Sequence, residues 1–153
     1  MPDSFIFPYG ITLKENGAID TLPVAKVGFK NKKGEEFSLF LIIDSGATIS
    51  ALPKSDAEVL GIDVKNGKPM VISGIGDEKI SGWQHNIEVF LANTSIRLPV
   101  VFLDKEITPR ILGRAGIFES FILVFQENQK RTGFLKEGER KAKLVQKTLD
   151  KIR

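Results

Sequence analysis

Between residues 23 and 103 the apolar residues come in short runs rich in Val, Ile and Phe, divided by Gly, Pro, Asn, Asp and Lys. Such runs specify strands, because β-branched and aromatic side chains suit a pleated surface while the dividers suit sharp bends. Most of the chain therefore reads as all-β. The expected strands cover residues 24–29, 36–43, 68–72, 80–91, 96–103 and 121–125. The polar stretch 30–35, with Gly34, suits a hairpin between the first two. Residues 39–43 are apolar without interruption, which predicts a strand buried on both faces.

Two segments depart from this pattern. Residues 53–60 open with Pro and are followed by Gly61, the asymmetry of a short helix. After Gly138, the residues Ala142, Val145, Leu149 and Ile152 recur at spacings of three, four and three among basic side chains, the mark of an amphipathic helix. The division expected is a β domain over 1–135 and a basic C-terminal helix over 136–153, packed on the domain or on a dimer partner. At 153 residues, 42% of them hydrophobic, one compact domain with a real core is the natural size.

Absences remove most catalytic chemistries. There is no cysteine, so disulfides, thiolate nucleophiles and thiolate-bound zinc are excluded. One histidine, His85, is too few for a zinc site of two or three imidazoles, and beside Trp83 it reads as a surface or cross-strand residue. No metal or cofactor is expected, and carboxylates remain. No apolar run approaches the roughly 20 residues of a membrane-spanning helix, so a membrane partner is not expected. The first residues lack a basic and apolar leader pattern, which makes the cytoplasm the default location. The formal charge of +3 is concentrated at the C-terminus, where seven basic residues face three acidic ones after residue 135. A solvated helix face accounts for that excess with fewer assumptions than a nucleic-acid partner, and no nucleic-acid-reading motif accompanies it.

The chemically suggestive feature is the apolar run that ends in Asp44, followed by Ser45, Gly46, Ala47 and Thr48. A carboxylate at the end of an apolar strand is costly unless it is hydrogen-bonded or shares a proton. Taken alone, Asp-Ser-Gly is also an ordinary turn. Two further pieces follow in order: a loop with Gly74, Ile75 and Gly76 between two expected strands, then the run Ile111, Leu112, Gly113 and Arg114.

As an ordered set these motifs resemble the retropepsin-like aspartic proteases, the single-domain family that includes the retroviral enzymes. The resemblance covers roughly residues 37–125. It implies an all-β half-barrel with a flap hairpin, and it implies that Asp44 is the catalytic residue. By the same likeness Ser45, Gly46 and Ala47 form the active-site loop, backed by Ile111, Leu112 and Gly113. Ile72, Gly74, Ile75 and Gly76 then belong to the flap that closes over a bound peptide, and Ser50 falls where relatives often carry Thr or Ser. Thr48 departs from the retroviral pattern, which commonly has Asp there to pair with the arginine matched by Arg114. Asp77 and Glu78 add charges just after the flap tip.

Hydrolysis by this route needs one carboxylate as base and one carboxylic acid as proton donor. The chain has a single Asp-Ser-Gly. The expectation is therefore an endopeptidase acting on extended peptide or protein segments as a symmetric homodimer, with water activated between two copies of Asp44. The alternative keeps the fold and the dimer but uses the cleft only to bind peptides.

Overall fold

The computed structural model describes residues 4–74, 76–106 and 108–152. Twelve strands are found among them, in three sheets. The largest sheet is built from β4 (Val24–Lys30), β5 (Glu36–Ile43), β6 (Ser50–Pro53), β7 (Lys68–Ser73), β8 (Lys79–Leu91), β9 (Thr94–Leu103) and β10 (Ile111–Leu112), in the order β4-β5-β10-β6-β9-β8-β7. Gly28 of β4 also pairs with Phe90 of β8, so the sheet curls back on itself. A Cβ at Gly28 would lie 3.2 Å from that of Phe90, tighter than ordinary packing, and the closure therefore favours a glycine.

Five strands match the expected positions to within two residues at each end, as does the sixth, β11 (Phe121–Gln126). Polar Asn31 organises the β4–β5 turn, its side-chain oxygen accepting the N–H groups of Lys33 and Glu35 at 2.9 Å each. The helix α1 (Lys54–Leu60) follows Pro53 and stops at Gly61, whose φ of +70° suits a residue without Cβ.

Residues 39–43 are not buried on both faces. β5 alternates: Leu39, Leu41 and Ile43 face the core, while Phe40 on the other face is 64% exposed. No layer covers that outer face along its whole length, so an unbroken apolar run here does not mark a central strand.

Five strands escaped the expectation. β1 (Ser4–Pro8), β12 (Arg131–Lys136) and β11 form an antiparallel sheet in the order β1-β12-β11. Phe7, Phe121 and Phe134 pack edge to face on it, with centroids 5.1 and 5.6 Å apart. β2 (Gly10–Leu13) and β3 (Ile19–Leu22) pair only with each other. β6, the fifth, is wholly buried yet only four residues long, too short for a periodicity to register.

The C-terminal helix α2 (Arg140–Leu149) forms where expected, but its apolar stripe packs only at the first turn. Ala142 is buried and Val145 half-buried, whereas Leu149 and Ile152 are 54% and 70% exposed. The helix packs against β12, and the apolar side chains toward its C-terminal end stay exposed.

Candidate active site

The large sheet has one topological feature that fixes the position of Asp44. Consecutive strands β5 and β6 are not neighbours; β10 lies between them, parallel to β5 and antiparallel to β6. The connection 44–49 must therefore pass over the end of β10, which holds it by backbone hydrogen bonds. Asp44 N–H donates to Leu112 O at 3.0 Å, Arg114 N–H to Ala47 O at 2.9 Å, and Ala115 N–H to Thr48 O at 2.9 Å. Of the run expected to back the loop, Leu112 bonds to it directly, and Arg114 and Ala115 just beyond that run supply the other two contacts.

Within the loop, Ala47 N–H closes a turn on Asp44 O at 3.2 Å, and Gly46 N–H donates to Asp44 Oδ1 at 2.8 Å. The second contact fixes the carboxylate and leaves Oδ2 free of that donor. Asp44 is half-buried, Ser45 and Gly46 are exposed, and Ala47 is half-buried, so the tip of the loop faces outward from a buried base.

The base is built by Ser50 and Gly113. Ser50 is fully buried, and its hydroxyl accepts the Gly113 N–H at 3.0 Å. A Cβ at Gly113 would sit 2.4 Å from the Ile49 carbonyl carbon, a distance no real side chain tolerates. The Gly following Ile-Leu is therefore a packing requirement: two backbones approach too closely there for any other residue.

Ile72, Gly74 and Gly76, expected to belong to a flap, lie on the β7–β8 hairpin or its turn. Gly74 N–H donates to Glu78 O at 3.2 Å across the turn, while Gly76 and Asp77 take positive φ values of +93° and +62°. Ile75 lies outside the described residues. Ile72 packs with Met70, Ile80, Ile49, Ala51, Val101, Leu103 and Ile111 in a second apolar cluster separate from the main core. That cluster joins the base of the hairpin to the strands flanking the Asp44 loop.

Two relationships were not legible in advance. Asp56 on α1 is buried and receives two hydrogen bonds from Arg110, Nε at 2.7 Å and Nη2 at 2.8 Å. This bidentate contact holds the guanidinium above its ordinary pKa. Arg110 O in turn accepts Ile42 N–H at 2.8 Å, so the pair anchors the start of β10 beside β5. The only advance signal was an arginine directly before a buried run. Glu78 pairs with Lys105 at 2.6 Å, tying the hairpin turn to the segment after β9. Arg114, without the acid found in the retroviral pattern, reaches Thr48 Oγ1 at 3.4 Å. His85 is a cross-strand residue opposite Val100, and its Nε2 lies 2.9 Å from Val64 O.

A groove of about 740 Å³ between β1 and the β4–β5 hairpin is lined by Phe5, Phe37, Phe40 and Phe90 and does not include Asp44. This groove therefore does not mark the carboxylate. Among the described residues, no group of three or more His, Asp or Glu side chains could hold a metal ion, and no helix is long and apolar enough to cross a membrane.

The family model for aspartyl proteases matches residues 33–115, which include the Asp44 loop, the β7–β8 hairpin and β10. The fold is similar to that of a retropepsin-like aspartic protease from Rickettsia conorii, with a TM-score of 0.57 and 15% identity over 87% of this chain and 99% of that one. The EIAV protease, solved with the inhibitor HBY-793, aligns over 61% of this chain and 82% of its own at 22% identity, with a TM-score of 0.46. No curated protein sequence matches the chain. With a matched region that spans more than half of its length, this chain belongs to the aspartyl protease family.

Proposed function

We propose that the chain is an endopeptidase whose catalytic residue is Asp44, working as a homodimer in which two Asp44 carboxylates flank one water. The observation that carries this reading is the Asp44 loop itself. A carboxylate at the start of a loop held by β10 is oriented through Oδ1 by Gly46 N–H and keeps Oδ2 clear. The chain supplies one such carboxylate, and the reaction needs two. A twofold axis beside the loop brings a second copy to the first. Two carboxylates roughly 3 Å apart share one proton and titrate as a pair, so one acts as base toward water and the other protonates the scissile carbonyl oxygen. Before an asymmetric substrate binds, the two roles are interchangeable.

Ser45, Gly46 and Ala47 shape the loop, Gly113 and Ser50 hold its base, and the β7–β8 hairpin with Ile72, Gly74 and Gly76 is the flap over an extended peptide. Such a peptide is gripped through its backbone with alternate side chains in apolar pockets. The protease domain extends through β12, and the basic helix α2 (Arg140–Leu149) is appended after it.

The test is cleavage of an unfolded protein by the full chain and by Asp44→Asn. The substitution preserves shape but removes the carboxylate, and activity should fall by at least about a thousandfold with the fold and the dimer retained. Retained activity in the variant would falsify the assignment.

A further inference from the structure

The β2–β3 hairpin is amphipathic in the wrong sense for a free surface element. Its register places Ile11 opposite Thr21 and Leu13 opposite Ile19, all on one face. Ile11, Leu13 and Ile19 are 74%, 73% and 70% exposed. Its other face carries Thr12 and Asp20, with Lys14 bridging to Asp20 at 3.1 Å. An isolated two-stranded hairpin is marginal in water, and one that turns three of its four large aliphatic side chains outward gains nothing from those three unless another surface covers that face.

The roots of the hairpin are firmly placed. Tyr9 N–H donates to Lys130 O at 2.8 Å, and Lys130 Nζ lies 5.9 Å from the Tyr9 ring centre. On the other side Pro23 O accepts Ile43 N–H at 3.0 Å, one residue from Asp44. Between hairpin and β5 lies a groove of about 510 Å³, lined by Ile11, Thr12 and Leu22 of the hairpin and by Val24, Phe40 and Ile42. An apolar projection and an apolar groove thus sit side by side on the flank of the strand that ends in Asp44.

We propose that the β2–β3 hairpin is an arm that clasps a second copy of this chain, Leu13 and Ile19 packing against the partner's groove, whose walls are the same Ile11 and Phe40 seen in this copy. The inference rests on the reading that two copies pair at Asp44. The occupant follows from place and symmetry. The arm is rooted next to the carboxylate whose function requires a second copy, and a twofold interface must be self-complementary, with a projection on each copy meeting a recess on the other. Phe40, which a buried strand would have hidden, then becomes part of a contact, as does the unpaired hairpin.

The experiment compares the full chain with Leu13→Glu/Ile19→Glu by sedimentation velocity over a dilution series and by cleavage of an unfolded protein across the same concentrations. Both positions are exposed in the protomer, so the folded domain should tolerate the change, and Leu13→Ser/Ile19→Ser provides a milder variant. Circular dichroism checks that each is folded. The arm predicts that the dimer dissociation constant rises at least about tenfold in the Glu variant, and that lost cleavage returns when protein concentration is raised, since Asp44 is untouched. A dimeric wild type with an equally tight dimer in both variants overturns the arm while leaving the Asp44 pairing standing. A wild-type chain that stays monomeric at every concentration overturns the pairing and the arm together.

Discussion

The hydroxyl of Ser50 and the backbone N–H of Gly113 meet at 3.0 Å with Ser50 fully buried, locking the end of the Asp44 connection to β10. The two residues are 63 positions apart, and the bond between them sets where the candidate catalytic loop begins and ends.

Substituting the two partners should therefore have unequal effects. Ser50→Ala leaves a buried N–H without its acceptor and should cost about 1–3 kcal/mol. Gly113→Ala drives a methyl group into the Ile49 carbonyl and should cost about 3 kcal/mol or more, through displacement of the loop. Chemical denaturation of the two variants gives the comparison, and a Gly113→Ala protein as stable as wild type would contradict the close approach.

The Asp56–Arg110 pair predicts an asymmetry of its own. The Asp56 side chain is 8% exposed and that of Arg110 41%, so removing one partner strands groups of different solvation. Arg110→Met leaves a buried carboxylate unpaired and should cost about 2–4 kcal/mol, while Asp56→Asn leaves a guanidinium that water can reach and should cost about 1 kcal/mol. Denaturant midpoints at neutral pH test the order.

Arg114 meets only a hydroxyl at Thr48, at a distance that makes a weak hydrogen bond. Thr48→Asp should convert this contact into an exposed ion pair and raise stability by about 0.2–1 kcal/mol, an increment that salt removes. Thermal unfolding of the variant at low and high ionic strength measures it.

The Glu78–Lys105 contact restrains the β7–β8 turn through a pair whose side chains are 62% and 43% exposed. It contributes little to global stability. Lys105→Met should instead speed amide exchange around the turn, including Gly74 and Lys79, by a few-fold without moving the unfolding midpoint. Added salt should reproduce part of that change in the wild type.

Much of the large sheet was legible because its strands are long and rich in Val, Ile and Phe and the polar stretch 30–35 with Gly34 marks a turn, and Gly61 marks the end of α1 by local chemistry. β1, β2, β3 and β12 were missed because they are short, and their partners lie far away or pair only locally. β6 was missed because a buried four-residue strand shows no alternation. The apolar run before Asp44 was read as doubly buried, yet Phe40 points outward, since composition alone does not say whether a second layer covers a face. The stripe of α2 likewise repeats correctly but is buried only where β12 reaches it.

The sequence by itself determined the all-β class and the single motif around Asp44, because these follow from local residue chemistry and from a count of motifs. Only the tertiary structure decided that β10 passes between β5 and β6, that Arg110 finds Asp56, and that Ile11, Leu13 and Ile19 stand uncovered. Those facts depend on which surfaces meet across long separations in the chain. Period, propensity and turn chemistry act over a few residues and cannot specify such meetings.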